Sequence, residues 1–291
     1  MRFLAFFAFA AFCVCFGQDL PPGPRLYHDP KIQNTAEVQT KDLFWKLALR
    51  EVTADPSALN RCAVVDKKRG SFRVLLHGST AKKEIAVTID DGPHPICTYR
   101  LIQLLKLENV PATFFVIGFM AERQPALVRA EAAAGFGVGN HTFSHVFLPH
   151  LKPAQVQTEY RANSDLIARL TGRRPAYCRP PGGDYTKDVV RSAELNGMTT
   201  VLWTDDPGDY TKDPVDKILK KAVHDLSPGG ILLFHDGAPK ALQVLPRLIA
   251  YARKQGYRFV SLSELEKSAT QLPRPGLPVR PAERISQSLR P

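Results

Sequence analysis

The chain has 291 residues, enough for one large domain or two small ones. With 44% hydrophobic and 23% charged residues it has the balance of a folded globular protein, which excludes a disordered chain, a collagen, a coiled coil and a disulfide-stapled miniprotein. A formal net charge of +11 favours acidic partners (nucleic acid, an anionic membrane surface or an anionic wall polymer) without choosing among them.

At the N-terminus, Arg2 precedes an unbroken apolar run from Phe3 to Phe16, followed by Gly17. A spanning helix needs about 20 apolar residues, so this shorter run reads as a secretory leader over residues 1–17, with an N-terminal membrane anchor as the alternative. Lipid attachment at Cys13 or Cys15 is the weaker reading, because Phe12 and Val14 suit it poorly. Export to the cell envelope or beyond removes nucleic acid from the partners and leaves the mature chain with no spanning segment. Loss of the leader leaves Cys62, Cys97 and Cys178. An odd number leaves at least one unpaired, and small buried hydrophobes with at most one disulfide is the simplest reading.

Residues 18–81 form an N-terminal extension: an extended lead-in rich in Pro and Asp over 18–30, then an amphipathic helix over 35–52. From residue 84 the rhythm changes. Short apolar runs at 84–89, 112–118, 136–141, 175–179, 199–203, 230–235 and 257–262 predict strands. Helical patterns fall between them at 97–109, 121–134, 153–171, 186–196, 214–226 and 239–255. Strands separated by helices imply parallel pairing through crossovers, hence a wound α/β sheet or a barrel. Runs that are apolar at nearly every residue fit strands buried on both faces. The tail, 269–291, holds five prolines and four arginines after Thr270 and reads as disordered and basic.

In such folds chemistry collects at the C-terminal ends of the strands. Asp90-Asp91, His141, Arg179, Asp205-Asp206 and His235 each fall at or just past the end of a predicted strand, which points to one assembled site. His141 and His145 are spaced i, i+4, which would put both rings on one face of a helical turn and within reach of one metal. An H-x-x-x-H pair is a weak signal alone, and the glutamate of the zinc-protease motif is missing. Asp90-Asp91-Gly92-Pro93 offers two carboxylates for a third ligand, although they could instead cap the turn and the following helix. Neighbouring strand side chains point opposite ways, so one carboxylate could face the metal while the other addresses a different part of the site. A His-His-Asp set leaves one position open on a tetrahedral zinc, the mark of a catalytic centre.

TIDDGP (88–93), HTFSH (141–145), RPPGG (179–183), DPGDY (206–210) and LLFH (232–235), with ENVPATFFVIG (108–118), resemble the ordered motifs of the polysaccharide deacetylases, the NodB-homology or carbohydrate esterase family 4 proteins. The resemblance covers roughly residues 82 to 265, and the catalytic domain is placed at 82–268. It implies a distorted (β/α) barrel of about seven parallel strands. The implied activity is metal-dependent removal of acetyl groups from a glycan containing N-acetylglucosamine, peptidoglycan ahead of chitin. O-acetyl esterase action on a polymer such as xylan, or an inactive wall-binding protein, stands as the alternative.

Carried over residue by residue, the resemblance makes Asp91, His141 and His145 the ligands of one divalent ion, zinc ahead of cobalt. Asp90 becomes the general base and His235 the general acid. Arg179 would orient Asp90, and Asp206 and Asp209 would support that charge network. Leu233 and Trp203 would line the pocket for the acetyl methyl, and the Gly182 N–H would help hold the oxyanion. Three positions depart from the family's habit: Gly182 and Ile89 stand where an aromatic is common, and Tyr210 where tryptophan is common. None removes a catalytic group. The missing aromatic at 182 alters the sugar groove, so the resemblance speaks more firmly to the reaction than to the sugar.

Overall fold

The computed structural model describes residues 74–270. The leader, the lead-in, the helix expected at 35–52, Cys62 and nearly all of the basic tail lie outside the described residues. Within them, β1 (Val74–Leu75), β2 (Glu84–Gly92), β3 (Ala112–Val116), β4 (Gly137–Asn140), β5 (Tyr177–Cys178), β6 (Thr199–Val201), β7 (Ile231–His235) and β8 (Arg258–Phe259) make one sheet with every pairing parallel. The helices are α1 (Cys97–Leu107), α2 (Gly118–Arg123), α3 (Pro125–Ala133), α4 (Pro153–Thr171), α5 (Lys187–Leu195), α6 (Val215–Asp225), α7 (Ala241–Lys254) and α8 (Leu262–Thr270).

The strand order is β1-β6-β5-β4-β3-β2-β7, with β8 pairing the first residues of β2. The sheet curls until the segment after β6 reaches β7, where Asp205 bridges Leu232 and the Leu233 N–H donates to the Asp205 carbonyl at 2.8 Å. This is a distorted (β/α) barrel with seven parallel strands in its main path. Side chains of β2 alternate between two faces, and every residue after the half-buried Glu84 is buried. Ile85, Val87 and Ile89 pack with Phe114, Leu232 and Phe234 against Leu101, Leu105, Val244 and Leu248 of the surrounding helices. Ala86 faces the interior of the curl with Phe115, Val201 and Ile231. Both faces are covered, which is why the strands read as continuous apolar runs.

Several strands are shorter than the sequence expectation, and three differences change an element's assignment or extent. Val74 and Leu75, placed in the extension by sequence, pair with Thr200 and Val201 and so belong to the sheet. The helix expected at 121–134 is two, because Pro125 brings no N–H and breaks the ladder at Gln124 (φ −126°, ψ 52°) before starting the next helix at its first position. The strand expected at 257–262 shrinks to Arg258–Phe259, and Leu262 opens α8 instead. Leu262 and Leu265 of that helix are buried with Ala86 and Ile231. Cys97 and Cys178 are both buried free thiols, and burial pushes Cys178 up to about 12.

Candidate active site

β2 ends in a bulge: its register against β3 shifts between Asp90 and Gly92, and Asp91 takes a left-handed φ of 80°. The bulge overrides the simple alternation of neighbouring side chains. Asp90 Oδ2 and Asp91 Oδ1 lie 3.8 and 3.1 Å from the same atom, His141 Nε2. The other Asp90 oxygen, Oδ1, accepts from Arg179 Nη1 at 2.7 Å, so the two carboxylates share one site but have different partners.

His141 and His145 also meet by a route other than the expected helical turn. The segment after β4 is a loop with Thr142 at φ 64° and His145 at φ 55°. Four non-glycine residues among those described have positive φ, and three of them (Asp91, Thr142 and His145) build this site. The loop brings His145 Nε2 to 3.3 Å from Asp91 Oδ1 and puts the two rings 4.9 Å apart edge to face. One ligand atom from each of Asp91, His141 and His145 falls within a mutual 4.8 Å.

The tautomers show what this trio fits. The carbonyl of Arg179, 2.7 Å from His141 Nδ1, can only accept, so Nδ1 carries the hydrogen. In the neutral ring Nε2 then aims a lone pair at Asp91 Oδ1, a buried oxygen that receives no well-formed hydrogen bond. Lone pairs of nitrogen and oxygen converging in a buried place suit a divalent ion, and the N, N, O donor set suits zinc. Burial opposes charge on His141, but the nearby Asp90 and Asp91 carboxylates outweigh it and raise its pKa. For His145 burial dominates and the shift is downward. Asp91 is pulled well below the usual carboxylate range: burial pushes it up, but the adjoining His141 and His145 imidazoles and the charge on His235 prevail.

Arg179 is fully buried inside the curl, its guanidinium between the rings of Phe115 (4.5 Å) and Trp203 (5.5 Å). Besides Asp90 it donates to Thr88 Oγ1 and to the carbonyls of Val201 and Leu202. Neither Asp206 nor Asp209 joins this group, contrary to the expectation. Asp209 instead grips His235 twice, accepting from its backbone N–H at 2.8 Å and its ring Nδ1 at 2.8 Å. Asp206 accepts from the Gly208 N–H and the Tyr210 hydroxyl, holding the loop that presents Asp209. Tyr210 stands edge-on to the His235 ring at 4.7 Å.

With Nδ1 committed to Asp209, His235 Nε2 faces the site, 3.8 Å from Asp91 Oδ2. Burial lowers the pKa of the His235 ring, but the charge and hydrogen bond of Asp209, with Asp91 and Asp90 beyond, push it up to about 10, so the ring is cationic at neutral pH.

Leu233 is buried and in register with Thr88, so it projects to the same side as Thr88 and Arg179. Trp203 is half-buried and packs against the inner cluster, close enough to Gly183 to block any side chain there. Gly182 is exposed in a short 3-10 turn at φ 68°. Sequence reasoning missed Thr88, which steadies Arg179, and also Glu159 and Asn163 of α4, which hold the histidine loop. The only trace of Glu159 and Asn163 in the sequence is their i, i+4 spacing on one face of α4.

Residues 77–201 match the Polysaccharide deacetylase family. A peptidoglycan-N-acetylglucosamine deacetylase of Bacillus cereus is 34% identical over 189 residues, covering 63% of this chain and 88% of that one. A chitooligosaccharide deacetylase of Bradyrhizobium is 33% identical over 198 residues, covering 63% and 90%. Among solved structures, the peptidoglycan N-acetylglucosamine deacetylase Bc1960 superposes with a TM-score of 0.65 at 29% identity, covering 67% of this chain and 92% of that one. With the motifs gathered into one site and the match spanning nearly the whole of these relatives, the chain belongs to the polysaccharide deacetylase family.

Proposed function

We propose that this protein removes N-acetyl groups from a glycan containing N-acetylglucosamine, peptidoglycan ahead of chitin, with Asp91, His141 and His145 holding one zinc ion. The observation that carries this reading is the pair of opposed groups flanking the trio: a carboxylate oxygen, Asp90 Oδ2, on one side and on the other the Nε2 of His235, an imidazole gripped through Nδ1 by Asp209. Amide hydrolysis needs this division of labour. The attacking water must lose a proton, and the amine leaves only once it has gained one.

A bound divalent ion would supply Lewis acidity, acidifying the attacking water and polarising the acetyl carbonyl. Asp90 Oδ2 accepts the proton of that water. Arg179 holds the other Asp90 oxygen, which keeps the carboxylate aimed. His235 Nε2 donates its proton to the departing nitrogen, and Asp209 on Nδ1 keeps the ring charged and fixed until then. Leu233 and Trp203 exclude water around the acetyl methyl, and the Gly182 N–H assists at the oxyanion.

The relatives named for peptidoglycan and for chitooligosaccharides support a glycan containing N-acetylglucosamine as substrate. The charge of +11 favours the anionic wall polymer of the two. None of the described helices is long and apolar enough to cross a membrane. The leader read over 1–17 would export the chain, with a mature start near Gln18, and the catalytic unit would run to about residue 268.

Acetate release from peptidoglycan, chitin oligomers and acetyl-xylan, with and without a chelator, tests the reading. Release from one of the first two, abolished by chelation and restored by zinc, is expected. Release from acetyl-xylan alone, release that survives chelation, or no release at all would overturn it.

A further inference from the structure

The histidine loop is held in a conformation that its residues do not favour. Thr142 and His145 both sit in the left-handed region, where a branched or bulky side chain crowds its own backbone. Part of the restraint is internal: Thr142 N–H donates to Asn140 Oδ1 at 2.8 Å, and His145 N–H to Thr142 Oγ1 at 3.0 Å. The rest comes from α4, a helix that contributes no ligand. Glu159 Oε2 accepts from the Phe143 N–H at 3.0 Å and the Ser144 N–H at 2.8 Å, the two amides lying between the histidines. One turn later Asn163 Nδ2 reaches the Thr142 carbonyl at 2.8 Å, the Val116 carbonyl at 2.8 Å and Asn140 Oδ1 at 3.2 Å. Residues i and i+4 share a helix face, so one stripe of α4 grips the two peptides that join Thr142 to Ser144.

We propose that Glu159, with Asn163 behind it, is a positioning residue of the metal centre: α4 clamps the loop so that His141 and His145 are set for the ion before it arrives. The inference rests on the reading of Asp91, His141 and His145 as metal ligands. Glu159 touches no ligand atom and acts through the backbone of Phe143 and Ser144. Groups that orient metal ligands from behind typically change affinity 10–100-fold when altered. Both amides converge on a single oxygen of Glu159, and that detail separates position from charge. An amide oxygen at the same reach can accept both bonds without the charge. An aspartate keeps the charge but falls one methylene short.

Zinc affinity is measured on the metal-free full-length protein by competition with a chromogenic chelator. Hydrogen exchange of the Phe143 and Ser144 amides is followed in the same samples. Glu159→Asp is expected to weaken zinc binding by about 10–100-fold and to expose both amides to exchange. Glu159→Gln should bind zinc nearly as the unaltered protein does and keep the amides protected. Asp165→Ala, on the same helix but paired outward to Arg174, controls for general loosening of α4 and should leave both readouts unchanged. Wild-type affinity in Glu159→Asp, an equal loss in Glu159→Gln, or an equal loss in Asp165→Ala would each overturn the clamp while the ligand reading stands. An unaltered protein that takes up no zinc would overturn the ligand reading and the clamp with it.

Discussion

Asp90 and Asp91 are chemically identical neighbours that the backbone makes different. The left-handed φ of Asp91 turns its carboxylate onto both histidines, while Asp90 stays in register with β3 and β7 and meets Arg179. Substituting each by asparagine separates their roles. Asp91→Asn is expected to lower zinc affinity, because a neutral amide oxygen is the poorer ligand, and excess zinc should return part of the activity. Asp90→Asn should keep the ion yet lose about 10²–10⁴ in rate that no amount of zinc restores. Metal content and acetate release across a zinc titration check both. Loss of metal in Asp90→Asn alone would reverse the assignment, and full activity in both variants would dismiss the mechanism.

At the scale of elements, the site depends on how closely the turn after β3 approaches the loop after β4. The Gly118 N–H donates to the Thr142 carbonyl at 3.0 Å and the Phe119 N–H to the Phe143 carbonyl at 2.9 Å, stitching α2 to the histidine loop. This closeness leaves no room for a side chain at Gly118. A Cβ there would lie 2.4 Å from Phe143 Cδ2 and 2.9 Å from Phe143 Cα. The second of these is backbone, so a rotamer change cannot relieve the clash. Gly118→Ala is therefore expected to cost about 1–3 kcal/mol of stability, with a fall in zinc affinity as the loop moves. Urea unfolding of the metal-free protein measures the first, and chelator competition the second. An unchanged urea midpoint would show that the two loops are not locked together.

Across the whole molecule, the pH dependence of folding carries one legible contribution from the loop between β5 and α5. Asp184 is largely buried, and burial raises its carboxyl from 3.8 to about 6. The folded state then holds this proton more tightly than the unfolded state does. Stability from this group is complete below the unfolded value of 3.8 and is lost as pH rises toward about 6, beyond which the ionised carboxylate is a constant penalty. Asp184→Asn removes the charge and should unfold at higher urea than the unaltered protein at about pH 7.5, with the difference vanishing near about pH 4. A gain of equal size at both pH values would assign the effect to packing instead.

The strand and helix pattern from residue 84 onward could be read from sequence because both faces of the sheet are buried, which leaves continuous apolar runs between helical periods. α4 shows this best: its expected span, 153–171, is reproduced, with Pro153 at its first turn and Gly172 in the left-handed conformation beyond its end. The participants in the site were legible for a related reason, since His141, Arg179 and His235 mark strand ends. Their pairing was not. Asp209 turned out to hold His235 rather than Arg179, and His141 and His145 meet on a left-handed loop rather than a helical turn.

The two-residue strand Val74–Leu75 carries no period of its own and exists only because β6 offers it an edge. Sequence alone determined the alternation of buried strands and helices from residue 84 and the clustering of His141, Arg179 and His235 at strand ends. Which carboxylate faces which partner, and what holds the histidine loop, was decided by contacts distant in sequence: the Arg179 guanidinium reaching β2, and the α4 carboxylate and amide reaching back to the loop. Local propensity encodes the period of a single element. Hydrogen bonds between elements form only after packing has brought them together.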